Sequence, residues 1–98
     1  MNSYESVCIL APNYTNEQIS NIIVKIQDKI KKYSFSPIKV ENLGKKKLAY
    51  EIKNNKEGIY LVIHFKANTG FIHILEQFYK VTEEIIKYII VKEDINNE

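Results

Sequence analysis

The chain has 98 residues, 45% hydrophobic and 27% charged, with a formal net charge of +2. That suits one domain of ordinary soluble composition and excludes two, because half this length buries too little surface to be stable alone. All 14 basic residues are lysine, so bidentate arginine forks to guanine or phosphate are excluded, and any contact to an anion must use point charges held close together.

Tyr4 to Leu10 reads as a short strand, stopped by Ala11-Pro12-Asn13. Thr15-Asn16-Glu17-Gln18 has the form of a capping box. Beyond it Ile19, Ile22, Ile23, Ile26 and Ile30 make one apolar stripe of a helix, with Lys25, Asp28, Lys29 and Lys32 opposite. Ser36-Pro37 precedes a long second strand, Ile38 to Ile52, in which Gly44 predicts a bulge or bend. Asn54-Asn55-Lys56-Glu57-Gly58 has the composition of a hairpin turn, and Ile59 to Ala67 is apolar enough to be a central strand. Asn68-Thr69-Gly70 opens a second helix carrying Phe71, Ile74, Leu75 and Phe78, and Ile85 to Val91 forms a last strand. Residues 1–92 are expected to be one domain, followed by a frayed acidic tail over 93–98.

The order β-α-β-β-α-β, with right-handed crossovers, predicts a ferredoxin-like split βαβ sandwich of the α+β class: a four-stranded antiparallel sheet with two helices on one face. Leu61, Ile63 and Phe65 should face the helices. Tyr60, Val62, His64 and Lys66 should face outward, on a side that no remaining element covers.

Lys45-Lys46-Lys47 is the densest charge in the chain. As a bland feature it keeps an exposed strand soluble. Three adjacent strand cations repel one another, however, and alternation sends Lys46 to the face opposite its neighbours, an arrangement suited to a phosphate backbone. The seven tyrosines could stack bases on an open sheet. Yet Ile59-Tyr60-Leu61-Val62-Ile63-His64-Phe65 lacks the spaced aromatics of an RNA-recognition motif, and strand packing is the better reading. His64 and His73 have no acidic or cysteine neighbour at ligand spacing, which argues against a metal site. A single cysteine, Cys8, excludes an intrachain disulfide, and its apolar neighbours suit a buried, unreactive thiol. Glu83-Glu84 reads as a soluble turn. There is no P-loop, GxGxxG or HExxH, and neither catalytic residues nor a cofactor is expected. No apolar run approaches a membrane span and Met1 to Glu5 carries no export pattern, so a cytoplasmic protein is the expectation.

Over nearly its full length the sequence resembles the sixth protein of the bacterial small ribosomal subunit. The resemblance rests on Tyr4-Glu5, Pro12 after the first strand, and Asn42-Leu43-Gly44 followed by Lys45-Lys46-Lys47-Leu48-Ala49-Tyr50. The Lys56-Glu57-Gly58-Ile59-Tyr60 segment and the closing Ile89-Ile90-Val91-Lys92 also fit. It implies a structural, non-enzymatic role in the platform of the small subunit. The implied partners are the central domain of small-subunit ribosomal RNA and the eighteenth protein of the same subunit, bound as a heterodimer. Carried over residue by residue, RNA contacts fall on Asn2, Tyr4, Lys45, Lys46, Lys47, Lys80, Lys87 and Lys92. Partner contacts fall on Glu41, Leu43, Lys46, Lys47, Tyr50 and Tyr60.

Where this family usually has arginine, the chain has Asn2, Lys46, Lys47 and Lys87. Ile86 stands at a commonly basic position and Glu51 at a common proline. These departures imply weaker direct RNA affinity and more reliance on the partner. The alternative is a small ligand-sensing or acyl-phosphatase-like domain on the same superfold. The hydrolase would need an arginine anion site, which this chain lacks.

Overall fold

Two helical crossovers bring four strands into one antiparallel sheet. In the computed structural model, which describes residues 1–34 and 36–93, the elements in chain order are β1 (Asn2–Leu10), α1 (Asn16–Lys31), β2 (Lys39–Ile52), β3 (Asn55–Ala67), α2 (Thr69–Val81) and β4 (Ile85–Lys92). The sheet order is β2-β3-β1-β4. β1 and β3 are therefore central and bury the most residues, and β2 and β4 are edges. This is the ferredoxin-like arrangement that the element order predicts. The expectation of a frayed tail falls on residues 94–98, outside the described residues. Glu93, the first residue of that acidic stretch, still donates its backbone N–H to the Ser3 carbonyl at 2.8 Å.

Helix α1 begins as its capping box dictates. The Gln18 N–H donates to Thr15 Oγ1 at 3.2 Å, and the Thr15 N–H donates to Gln18 Oε1 at 2.8 Å. Its Ile19, Ile22, Ile26 and Ile30 are buried and Ile23 is partly so. They pack on Tyr4, Cys8 and Leu10 of β1 and Leu61, Ile63 and Phe65 of β3. Each such apolar side chain contributes about 1.5–3 kcal/mol of burial. Helix α2 departs from its expected stripe: it buries Phe71, Leu75 and Tyr79, while Ile74 is exposed and Phe78 half-buried. Tyr79 can go inside because its hydroxyl meets Ser6 Oγ at 2.9 Å, pairing two buried polar groups. Cys8 is fully buried beside them, and that burial pushes its thiol up to about 12.

The β2–β3 turn is built differently from its composition. Lys53 and Asn54, at φ 49° and 67°, form the two-residue β2–β3 turn between the paired Ile52 and Asn55. The amide of Asn55 donates to the carbonyls of Ile52 and Lys53. The predicted turn at 54–58 thus belongs mostly to β3. Gly58 is a buried strand residue where a Cβ would come within 2.4 Å of Ile9 Cγ2 and 3.2 Å of the Leu10 carbonyl. The bulge predicted at Gly44 is present: the register shifts between Asn42 and Gly44, with Gly44 at φ 82° and its N–H held by Asn42 Oδ1 at 2.8 Å.

Candidate nucleic-acid and partner interface

Lys45, Lys46 and Lys47 lie on the β2 edge just beyond the bulge and are all exposed. Their ladder partners are Ile59, Gly58 and Glu57, which puts Lys46 on the helix-free face and its neighbours on the other. No ion pair among the described residues involves any of the three. Lys45 lines a shallow cavity of about 250 Å³ with Pro12, Tyr14 and Asn42 beside the start of α1.

The remaining cations expected at RNA divide between the two ends of the sheet. Lys80 and Lys87 line a cavity of about 240 Å³ at the α2–β4 connection, and Lys53 from the hairpin tip joins them. Sequence reasoning missed Lys53, which has no basic neighbour in the chain; only the length of the hairpin brings it there. Lys87 also donates to the Tyr50 hydroxyl and sits over the Tyr50 ring at 5.1 Å. Asn2, Tyr4 and Lys92 are at the opposite end of β1, roughly 20–26 Å from Leu10 by strand rise, with Tyr4 and Lys92 paired across the ladder. The Tyr4 ring is only 5% exposed and stacks on Phe65 at 5.7 Å. Hydrogen bonds with Thr69 and Asn2 hold its phenol below the ordinary value. Tyr4 is a core residue whose hydroxyl alone lies among polar side chains.

Of the residues expected at a protein partner, Glu41, Lys46 and Tyr60 share the helix-free face by register. Leu43 in the bulge and Tyr50 on the hairpin arm are 47% and 61% exposed. This face is not wholly uncovered, as the sequence reading has it. The distal arm of the β2–β3 hairpin lies over one end, where Leu48 and Ile9 close on Gly58 and are themselves buried. Toward β4, Ile89 and Val91 remain about half exposed.

His64 is also on this face, and although no acidic residue stands at ligand spacing from it in the sequence, strand pairing brings carboxylates to it. Its Nε2 lies 3.2 Å from Glu41 Oε1, and its Nδ1 lies 3.2 Å from Glu93 Oε2. Glu5 is its direct ladder partner. The bond to Glu41 is the main cause of a raised imidazole pKa; burial opposes the shift, and the Glu93 bond and the charges of Glu93 and Glu5 add to it. None of these carboxylates is within ten residues of His64 in sequence, so only strand pairing reveals them.

Among the described residues no helix is long and apolar enough to cross a membrane. Residues 3–92 match the family model described as Ribosomal protein S6. The small ribosomal subunit protein bS6 of Trichormus variabilis is 38% identical over 95 residues, covering 97% of this chain and 88% of the relative. That of Campylobacter jejuni is 38% identical over 98 residues, covering 100% and 78%. The crystal structure of 30S ribosomal protein S6 from Thermotoga maritima superposes with a TM-score of 0.86 at 39% identity, covering 94% of this chain and 87% of that one. The chain belongs to the ribosomal protein S6 family, structural and non-enzymatic components of the small subunit of the cytoplasmic bacterial ribosome.

Proposed function

We propose that the chain is a scaffold that binds the central domain of small-subunit ribosomal RNA as a heterodimer with the eighteenth protein of that subunit. The observation that carries this reading is the Lys45-Lys46-Lys47 run, exposed on a paired strand with no ion pair among the described residues. Such a strand pre-positions its charge, so less ordering entropy opposes binding than in a flexible basic tail. Lys53, Lys80 and Lys87 around one cavity supply a second anion-facing cluster. Exposed Leu43 and Tyr50, with Glu41, Lys46 and Tyr60 nearby on the helix-free face, supply apolar anchors and polar rim for a protein.

The test is binding of the purified chain to a central-domain ribosomal RNA fragment across a salt series, with and without the eighteenth protein. Tight binding that needs the partner is expected. With the three lysines of the run on phosphate, log affinity should fall against log salt with a slope of roughly −2 to −3, and each lysine of the second cluster that also meets phosphate should steepen it by about 0.7–0.9. A flat response, or no binding when the partner is competent, sinks the proposal. The acyl-phosphatase-like and ligand-sensing readings have no support in a structural, non-enzymatic family.

A further inference from the structure

The helix-free face carries a charge arrangement that lies outside the proposed RNA contacts. Glu5 from β1, Glu41 from β2 and Glu93 just past β4 converge on His64 of β3. Against three carboxylates stand, among the described residues, two cations in ion-pair contact: the imidazolium itself and Lys39, whose Nζ is 3.9 Å from Glu41 Oε2. Lys66 shares the face but makes no ion pair among the described residues. The cluster is half-buried, where unbalanced negative charge is costly.

The geometry points to a divalent transition-metal site, of the zinc class, formed by His64 Nδ1 and the carboxylates of Glu5 and Glu93. One ligand atom from each of the three residues lies within 4.8 Å of the others. Ligands about 2.1 Å from a tetrahedral ion are about 3.4 Å apart, so side-chain rotations closing the triangle by roughly an ångström complete the set. Glu41 then has a separate part. Bonded at Nε2, it fixes the tautomer that turns the Nδ1 lone pair toward Glu5 and Glu93, the carboxylate–histidine–metal relation that orients ligands in protein metal sites. One nitrogen and two carboxylate oxygens favour zinc, cobalt or nickel over calcium and magnesium, which take oxygen ligands alone. Loading replaces the Nδ1 proton with the ion, so a proton is released to solvent. The ion would join β1, β3 and the end of β4 across the sheet. This inference stands apart from the RNA-binding proposal and does not depend on it.

The test is calorimetric titration of the full chain with zinc chloride in buffers of different ionisation enthalpy, together with the visible spectrum of the cobalt-loaded chain. One ion per chain is expected, with proton release and a rise in Tm. H64A should abolish binding, whereas H73A, which alters the other histidine, should leave it unchanged. E41Q should weaken binding about 10- to 100-fold without changing stoichiometry. E5Q and E93Q keep side-chain shape, and each should also lose at least about tenfold, which keeps the test open if H64A does not fold. No binding at millimolar zinc, binding that survives H64A, or wild-type affinity in both E5Q and E93Q would overturn the assignment.

Discussion

At the scale of single residues, buried polar groups set the sharpest expectations. Ser6 and Tyr79 satisfy each other inside the core. Tyr79→Phe should therefore cost about 1–3 kcal/mol by stranding the Ser6 hydroxyl, and Ser6→Ala in the same chain should recover part of that loss. Urea unfolding of the two single variants and the double variant measures it; additive losses would mean the hydroxyls are not coupled. His64 sets a pH dependence. Its folded pKa is raised, chiefly by Glu41 and further by Glu93 and Glu5, with Lys39 the cation on Glu41. A raised folded value means the unfolded chain holds fewer protons through this range. The contribution is complete below the unfolded value of about 6.5 and is lost as pH rises through the folded value. With a chelator present, the stability advantage of the wild type over His64→Gln should grow from about pH 8 to about pH 6. A pH-independent gap would show that the bonds do not favour imidazolium. Neither feature was legible in the sequence, because each joins residues on different elements. The capping box at Thr15 and the Gly44 bulge were legible because their partners are two or three residues away.

At the scale of elements, periodicity located all six but misjudged how two of them are used. In α2 the apolar stripe includes Ile74, yet the buried face runs through Phe71, Leu75 and Tyr79. Hydrophobicity alone could not show that a tyrosine would find a buried hydroxyl partner. In the β2–β3 hairpin, Gly58 reads as turn material, but it is the point where Ile9 and the Leu10 carbonyl approach too closely for any Cβ. The true turn places Lys53 at φ 49°, a left-handed conformation that costs a lysine roughly 1 kcal/mol and that asparagine tolerates better. Lys53→Asn should stabilise the protein by about 0.5 kcal/mol. If the cavity with Lys80 and Lys87 receives phosphate, the same change should weaken RNA binding and make the salt slope shallower by about 0.7–0.9. Stability gained with affinity lost would mark Lys53 as held in a poor conformation for its charge. Affinity unchanged would leave it as a solubilising turn residue.

For the whole molecule, the question is whether its separated charges act on one RNA. Lys45 to Lys47 on the β2 edge and the Lys53, Lys80, Lys87 cluster belong to the hairpin and the α2–β4 end, whereas Asn2, Tyr4 and Lys92 sit at the far end of the sheet. The family pattern named most of these residues without showing this division, since sequence order does not reveal which ends of antiparallel strands coincide. Alanine at all three of Lys45, Lys46 and Lys47 removes exposed side chains, so each change should alter stability by no more than about 0.5 kcal/mol. If both clusters meet the same RNA, this triple variant and a Lys80→Ala/Lys87→Ala variant should each make the salt slope shallower by about 0.7–0.9 per contacting lysine, and their combination should show the sum. Replacing Lys92 measures the far end on the same scale. A shallower slope there would require RNA to extend along β1 and β4. A slope unchanged by Lys92→Ala, beside losses from the other two sets, would confine the RNA to the hairpin end and leave the Asn2–Tyr4–Lys92 end to packing.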